Sequence, residues 1–240
     1  MKKITLLAMS FIMALTVKAQ GAEDVTSLLT NPDFESGTTG WDGTFVTQNS
    51  TQPNFSGTFL ERWAGYYAKD QSTGVYNEDG AEYYKLIDLF CSQTIAVENG
   101  FYVFEAYVNA VQQNVSSMNP VTGVLLFAND DVTSCATGNG QPELFKVGTI
   151  VTDGSLTVGL RTENTTANWI AWDNLKLVRY TGATIDEAKT LWAKDEMNLL
   201  KEVLEGIIEN PMSADLREAI YASFEEIETT CKLNTFEVNV

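Results

Sequence analysis

From Val25 to Tyr180 apolar and polar residues alternate with a period of two, in a stretch rich in Thr, Val, Tyr and Phe that Gly, Asn and Asp interrupt at short intervals. This is the pattern of short strands, each burying one face, separated by turns. Gly100 to Val108 reads as a strand leaving a turn at Glu98-Asn99-Gly100, and Gly123 to Phe127 as a strand buried on both faces. Asp153-Gly154 is a turn signal opening Ser155 to Arg161, where Leu156, Val158 and Leu160 alternate with polar residues. Trp169 to Tyr180 makes a final strand in which Leu175 and Leu177 alternate and Arg179 is less regular. Many short strands with no helix between them predict a mainly β chain: an antiparallel β-sandwich of the jelly-roll kind.

After Gly182 the period becomes helical. Thr184-Ile185-Asp186-Glu187 fits a capping box, in which the Thr hydroxyl and the Glu carboxylate satisfy N–H groups left free at a helix start. Leu191, Trp192, Leu199, Leu200, Val203, Leu204, Ile207 and Ile208 then recur at threes and fours, until Asn210-Pro211 stops the helix. Ser213 can cap a second helix with Leu216, Ile220, Phe224 and Ile227 on its apolar side. The short connection predicts a C-terminal α-helical hairpin. Its wide apolar stripe is covered by the two helices themselves or by the sandwich, or else it meets another polypeptide.

Lys2 and Lys3, the apolar run from Ile4 to Val17 and the site Val17-Lys18-Ala19 together predict a signal peptide cut after Ala19. The run of 14 residues is shorter than the about 20 that span a bilayer as a helix. No cysteine follows the cut, so an exported protein, secreted or periplasmic, is expected rather than a lipoprotein. The expected divisions are a signal peptide over 1–19, a sandwich over 20–182, and a helical hairpin with a tail over 183–240. Losing residues 1–19 removes three lysines and no acids, which takes the formal charge from −17 to −20. Such a field disfavours nucleic acid and anionic membranes as partners.

The chain contains no histidine, which excludes His-dependent nucleophilic catalysis and removes the commonest zinc ligand. Catalysis by two carboxylates stays open in principle, but no spacing singles out a pair. Three cysteines, Cys91, Cys135 and Cys231, cannot all pair within one chain; a Cys91–Cys135 bridge and plain buried thiols are both open.

Three motifs of the β region carry a resemblance. Asn31-Pro32-Asp33-Phe34-Glu35, followed by Thr39-Gly40-Trp41, resembles the opening strand of carbohydrate-binding modules with the galactose-binding-like jelly-roll fold. Ser92 to Phe104 looks like their central hairpin, and Trp169-Ile170-Ala171-Trp172-Asp173-Asn174-Leu175-Lys176-Leu177 is similar to their closing strand. The order and spacing of the motifs agree with that family over about residues 25–180. The resemblance implies a non-catalytic module of a secreted bacterial protein that handles polysaccharides. It also implies a structural calcium ion held by acids of the first and last strands, here Glu35 and Asp173, with backbone carbonyls completing the six to eight oxygens a hard cation needs.

Pyranose rings stack their C–H faces on aromatic side chains, while their hydroxyls need fixed polar partners. Residues 59–84 mix both, with turn residues that make part of the segment a loop. Trp63, Tyr66, Tyr67 and Tyr76 are the candidate stacking surface, with Glu61, Arg62 and Asn77 as hydrogen-bonding partners. Trp41, Trp169 and Trp172 flank the first and last strand motifs and are assigned to the core or a sheet edge. A glycan is thus the expected partner. The competing readings are an adhesive or structural protein that contacts a protein partner through its helical hairpin, and a carboxylate-pair glycosidase.

Overall fold

The computed structural model describes residues 21–43, 46–49, 62–67, 90–113, 118–119, 121–137, 141–167, 169–208, 218–219, 221–223 and 225; for 46–49, 62–67, 111–113, 118–119, 169 and 204–208 it describes backbone only. Twelve strands are named in chain order. They begin with β1 (Gly21–Asp24), β2 (Asp42–Gly43), β3 (Val46–Asn49), β4 (Arg62–Tyr67), β5 (Phe90–Ala96) and β6 (Gly100–Gln113). They continue with β7 (Met118–Asn119), β8 (Val124–Ala128), β9 (Asp131–Ser134), β10 (Glu143–Val151), β11 (Ser155–Thr162) and β12 (Trp169–Thr181). One long helix follows, α1 (Ile185–Ile208).

The strands form two antiparallel sheets. The first runs β10-β6-β12-β4-β3, with β1 on the free half of the β12 edge and β7 at the end of β6; the second runs β2-β5-β11-β8-β9. Alternate residues meet between them. Tyr102, Phe104, Ala106, Val108 and Ala110 of β6 face Val124, Leu126 and Ala128 of β8 and Leu156, Val158 and Leu160 of β11 in one buried cluster. On β12 the inward set shifts from Ile170 and Trp172 to Leu175 and Leu177. A bulge explains the change of parity: from Asp173 to Lys176 β12 advances three residues while β6 advances two, from Tyr107 to Glu105. Asn174 takes up the extra residue at φ 53°, a left-handed conformation that Asn tolerates better than most side chains.

Two readings of the sequence need correction. Residues 31–40 form turns rather than an opening strand. Asn31 sits at φ 54° and closes the segment with its side chain, donating to the Gly37 carbonyl at 2.8 Å and accepting from Ser36 N–H at 2.8 Å. Asx-type bonds of this kind compete with a strand ladder. The stretch from Ser92 to Phe104 is likewise no hairpin, because β5 belongs to the second sheet and β6 to the first. The chain crosses between sheets at 97–99. It crosses back at 152–154, where Gly154 supplies φ 78°, and the two crossings are joined by Val97 N–H to Gly154 O at 2.9 Å and Asn99 Nδ2 to Thr152 O at 2.8 Å. Arg179, irregular in the strand pattern, clamps the first crossing through Glu98 at 2.6 Å and the Asn99 carbonyl at 3.1 Å.

Cys91 and Cys135 are free and fully buried. Cys91 lies on β5, and Cys135 continues the β9 ladder by donating its N–H to Val124 O. Three strand spacings separate them, about 14 Å. A disulfide cannot span more than about 7 Å between Cα atoms, so no bridge forms. Burial pushes the Cys135 thiol up to about 12 and raises Cys91 as well, so both behave as inert core residues. Cys231 lies outside the described residues.

The capping box forms as the sequence indicates: Glu187 N–H donates to Thr184 Oγ1 at 3.2 Å, and Glu187 Oε2 accepts from Ala183 N–H at 2.6 Å. The first turns of α1 lie on the outer face of the first sheet. Ala188, Leu191 and Trp192 pack over Phe101, Val103, Val178 and Tyr180. Lys146 ties the helix down through Glu196 at 2.6 Å. Gly148 makes the fit possible, since a Cβ there would lie 2.8 Å from both Trp192 and Phe101. Gly148→Ala is expected to lower stability by about 1–3 kcal/mol through overpacking, read as an earlier urea midpoint. An unchanged midpoint would mean the helix is not pressed against β10. Residues 218–219, 221–223 and 225 are helical too, while the connection at 209–217 lies outside the described residues.

Candidate functional site

Of the seven residues assigned to a sugar surface, Arg62, Trp63, Tyr66 and Tyr67 form most of β4, while Glu61, Tyr76 and Asn77 lie outside the described residues. Strand β4 sits between β12 and β3, and its register divides the aromatic positions. Tyr66 pairs with Ile170 and Ala64 with Trp172, the two β12 residues that face the core. Tyr67 pairs with Trp169 and Gly65 with Ala171 on the opposite, outer side. Trp63, two residues from Gly65, shares that outer face and pairs with Gln48 of β3. The outer face therefore carries Trp63, Tyr67 and Trp169, with Tyr107 and Asn109 of β6 on neighbouring rungs. Asn109 and Ala171, between the aromatic positions, are fully buried. The strand alternation that sets Trp169 apart from Trp172 was available in the sequence. It takes the register to show that Trp169 shares a face with Tyr67, whereas Trp41 and Trp172 are core residues as expected.

The candidate cation residues lie beside the β12 bulge. Asp173 is 3% exposed, and its Oδ1 has no hydrogen-bond partner. Burial pushes its carboxyl up to about 8; a hydrogen bond from the Asn174 backbone works against that, and the charges of Glu35 and Asp33 add to it. Glu35 is exposed, in the turn segment that follows Phe34. That segment is held against the sheets by Gln93. Its Oε1 accepts from Thr30 N–H at 2.7 Å and its Nε2 donates to Gly40 O at 2.7 Å. Leu175 N–H donates to Pro32 O at 3.0 Å, which fixes the acids of the turn next to the bulge. An orphaned buried carboxylate oxygen beside two further acids suits a hard cation. Among the described residues, however, no three acidic or thiol groups converge as a complete ligand set, so carbonyl oxygens would have to supply the remainder.

No known family model and no curated protein matches the chain. Solved structures similar to it include TmCBM61 in complex with β-1,4-galactotriose, 15% identical, covering 63% of this chain and 97% of that one at a TM-score of 0.41. A putative sugar-binding protein from Bacteroides thetaiotaomicron is 12% identical and covers 64% and 99% at 0.40. A cyclase from Fischerella sp. TAU is 15% identical and covers 68% and 100% at 0.47.

Proposed function

We propose that this chain is an exported, non-catalytic carbohydrate-binding module that holds a glycan through aromatic residues of β4 and the segments around it. The observation that carries the reading is the register of β4, by which Trp63 and Tyr67 share one sheet face with Trp169. Tyr67 and Trp169 pair on one rung and Trp63 lies four residues along the same face, so that face can offer two aromatic platforms of the kind pyranose rings stack on. Glu61 and Asn77 serve as hydroxyl partners and Tyr76 as a further ring, while Arg62 and Tyr66 share the parity of Ala64 on the core side of β4 and stand apart from the outer surface. The absence of histidine from the chain supports binding over turnover. The export signal at 1–19 lies outside the described residues and belongs to the same reading.

Trp63→Ala and Tyr67→Ala proteins that keep the wild-type melting profile are expected to lose affinity for a retained polysaccharide by about 10-fold or more, as truncation of a central aromatic does. Tyr66→Ala is expected to lose stability first. Full affinity in both outer-face variants would remove β4 as the binding surface.

The reading includes a structural calcium ion at Asp173 and Glu35, supported by the orphaned Asp173 Oδ1. A second reading, contact with a protein partner through the C-terminal helices, draws its support from α1, where Leu199, Leu200 and Val203 are 46%, 48% and 53% exposed.

A further inference from the structure

At one end of the sandwich, away from β4, the turn joining β8 to β9 faces the crossing from β10 to β11 across an open-mouthed cavity of about 550 Å³. This lies within the range of about 300–1,000 Å³ typical of small-ligand sites. Both walls are fixed by the protein's own bonds. On the first, Asn129 at φ 51° donates its N–H to Thr157 O and accepts from Thr157 N–H, each at 2.8 Å. On the second, Asp153 Oδ1 accepts from Ser155 N–H at 3.0 Å, and the Thr152 carbonyl accepts from Asn99. A site held this way needs little ordering when a ligand arrives.

The lining selects the occupant. Asp130, Asp131 and Asp153 supply carboxylates, Thr152, Ser155 and Thr157 supply hydroxyls, and among the described residues no basic side chain lines the cavity. Ile150, 39% exposed, adds an aliphatic patch. Phe127 is only 7% exposed and its ring is covered by the Arg161 guanidinium 5.1 Å from the centroid, so no aromatic face is open for stacking. Among the described residues no three acids converge on a point, which separates this arrangement from a cation site. Carboxylates spread around a polar cavity accept hydrogen bonds from paired hydroxyls and repel anions.

We propose that this cavity is a second saccharide site, one that takes the end of a neutral hexose chain through its hydroxyls and rejects uronic and sulfated sugars. The proposal rests on the glycan-binding reading but uses none of the β4 residues. Its test is amide chemical-shift mapping of the mature protein titrated with neutral hexose trisaccharides, and in parallel with uronate and sulfated ones. Saturable shifts are expected at Asn129, Thr152, Asp153, Ser155 and Thr157 with a neutral probe, weakened about 10-fold or more in a folded Asp130→Asn/Asp131→Asn protein and kept in Trp63→Ala. Shifts confined to other regions, equal affinity in the double variant, or preference for the anionic probes would overturn the cavity while leaving a glycan-binding protein in place. No response to any saccharide would overturn both.

Discussion

Phe34→Ala is expected to cost about 3–5 kcal/mol, the usual loss for emptying a buried phenylalanine site. Folded domains of this kind hold only about 5–15 kcal/mol in all, so the variant should melt far earlier or fail to accumulate. The ring is wholly buried, tilted against Trp41 at 5.4 Å between centroids and edge-on to Trp172 at 6.0 Å. Its backbone sits at φ 54°, a conformation bulky residues avoid, so burial of the ring must offset local strain. The turn at 31–40 thus stays in place because Phe34 plugs the gap beside β12, with Gln93 latching its flanks. Phe34→Leu should cost less, since it keeps apolar volume while losing the aromatic contacts. A wild-type urea midpoint in Phe34→Ala would show that the turn is held by something other than this ring.

The second large effect is a dependence on pH that reaches above the ordinary carboxylate range in a chain without histidine. Asp173 is neutral in the fold up to about pH 8 but ionises near 3.8 when unfolded. Between those values the folded state holds one proton more than the unfolded state, so stability falls as pH rises. The contribution is fully present below about pH 3.8, declines through the window and is flat above about pH 8. A change of that size corresponds to roughly 6 kcal/mol. In chelator the melting temperature should therefore drop from pH 4 to 8, and Asp173→Asn should flatten the slope and melt higher at pH 8. Calcium should restore the wild-type protein at pH 8 and leave Asp173→Asn unaffected. A chelated wild-type protein whose midpoint at pH 8 matches that at pH 5, and does not respond to calcium, would remove both the buried acid and the ion.

Periodicity and apolar runs were enough to find β6, β8, β11, β12 and the start of α1: β8 as a continuous apolar run, β11 by its alternating Leu156, Val158 and Leu160, and the helix by the capping residues at 184 and 187. It could not say which sheet a strand joins, and so the pair β5 and β6 read as a hairpin although the turn between them changes sheets. Residues 31–35 went wrong for another reason: their Asn-Pro-Asp composition favours turns, and the motif resemblance outweighed it. Parity was hidden at the β12 bulge, where one left-handed Asn moves Leu175 and Leu177 onto the face that Trp172 already occupies. Aromatic enrichment marked Trp63, Tyr66 and Tyr67, but only pairing with β12 separates Tyr66 from the other two. The end cavity leaves no trace in the sequence beyond the polar triplet Asn129-Asp130-Asp131, because its opposite wall is supplied from residues 149–157.

Whether a glycan is held and not cut can be read by incubating the mature protein with a panel of soluble polysaccharides and recovering both bound fraction and polymer length. At least one neutral polysaccharide should be retained with its chain length unchanged, and retention should fall in Trp63→Ala. Failure to retain any member of the panel would rule out a glycan-binding module, and shortening of a retained polymer would make the protein a hydrolase.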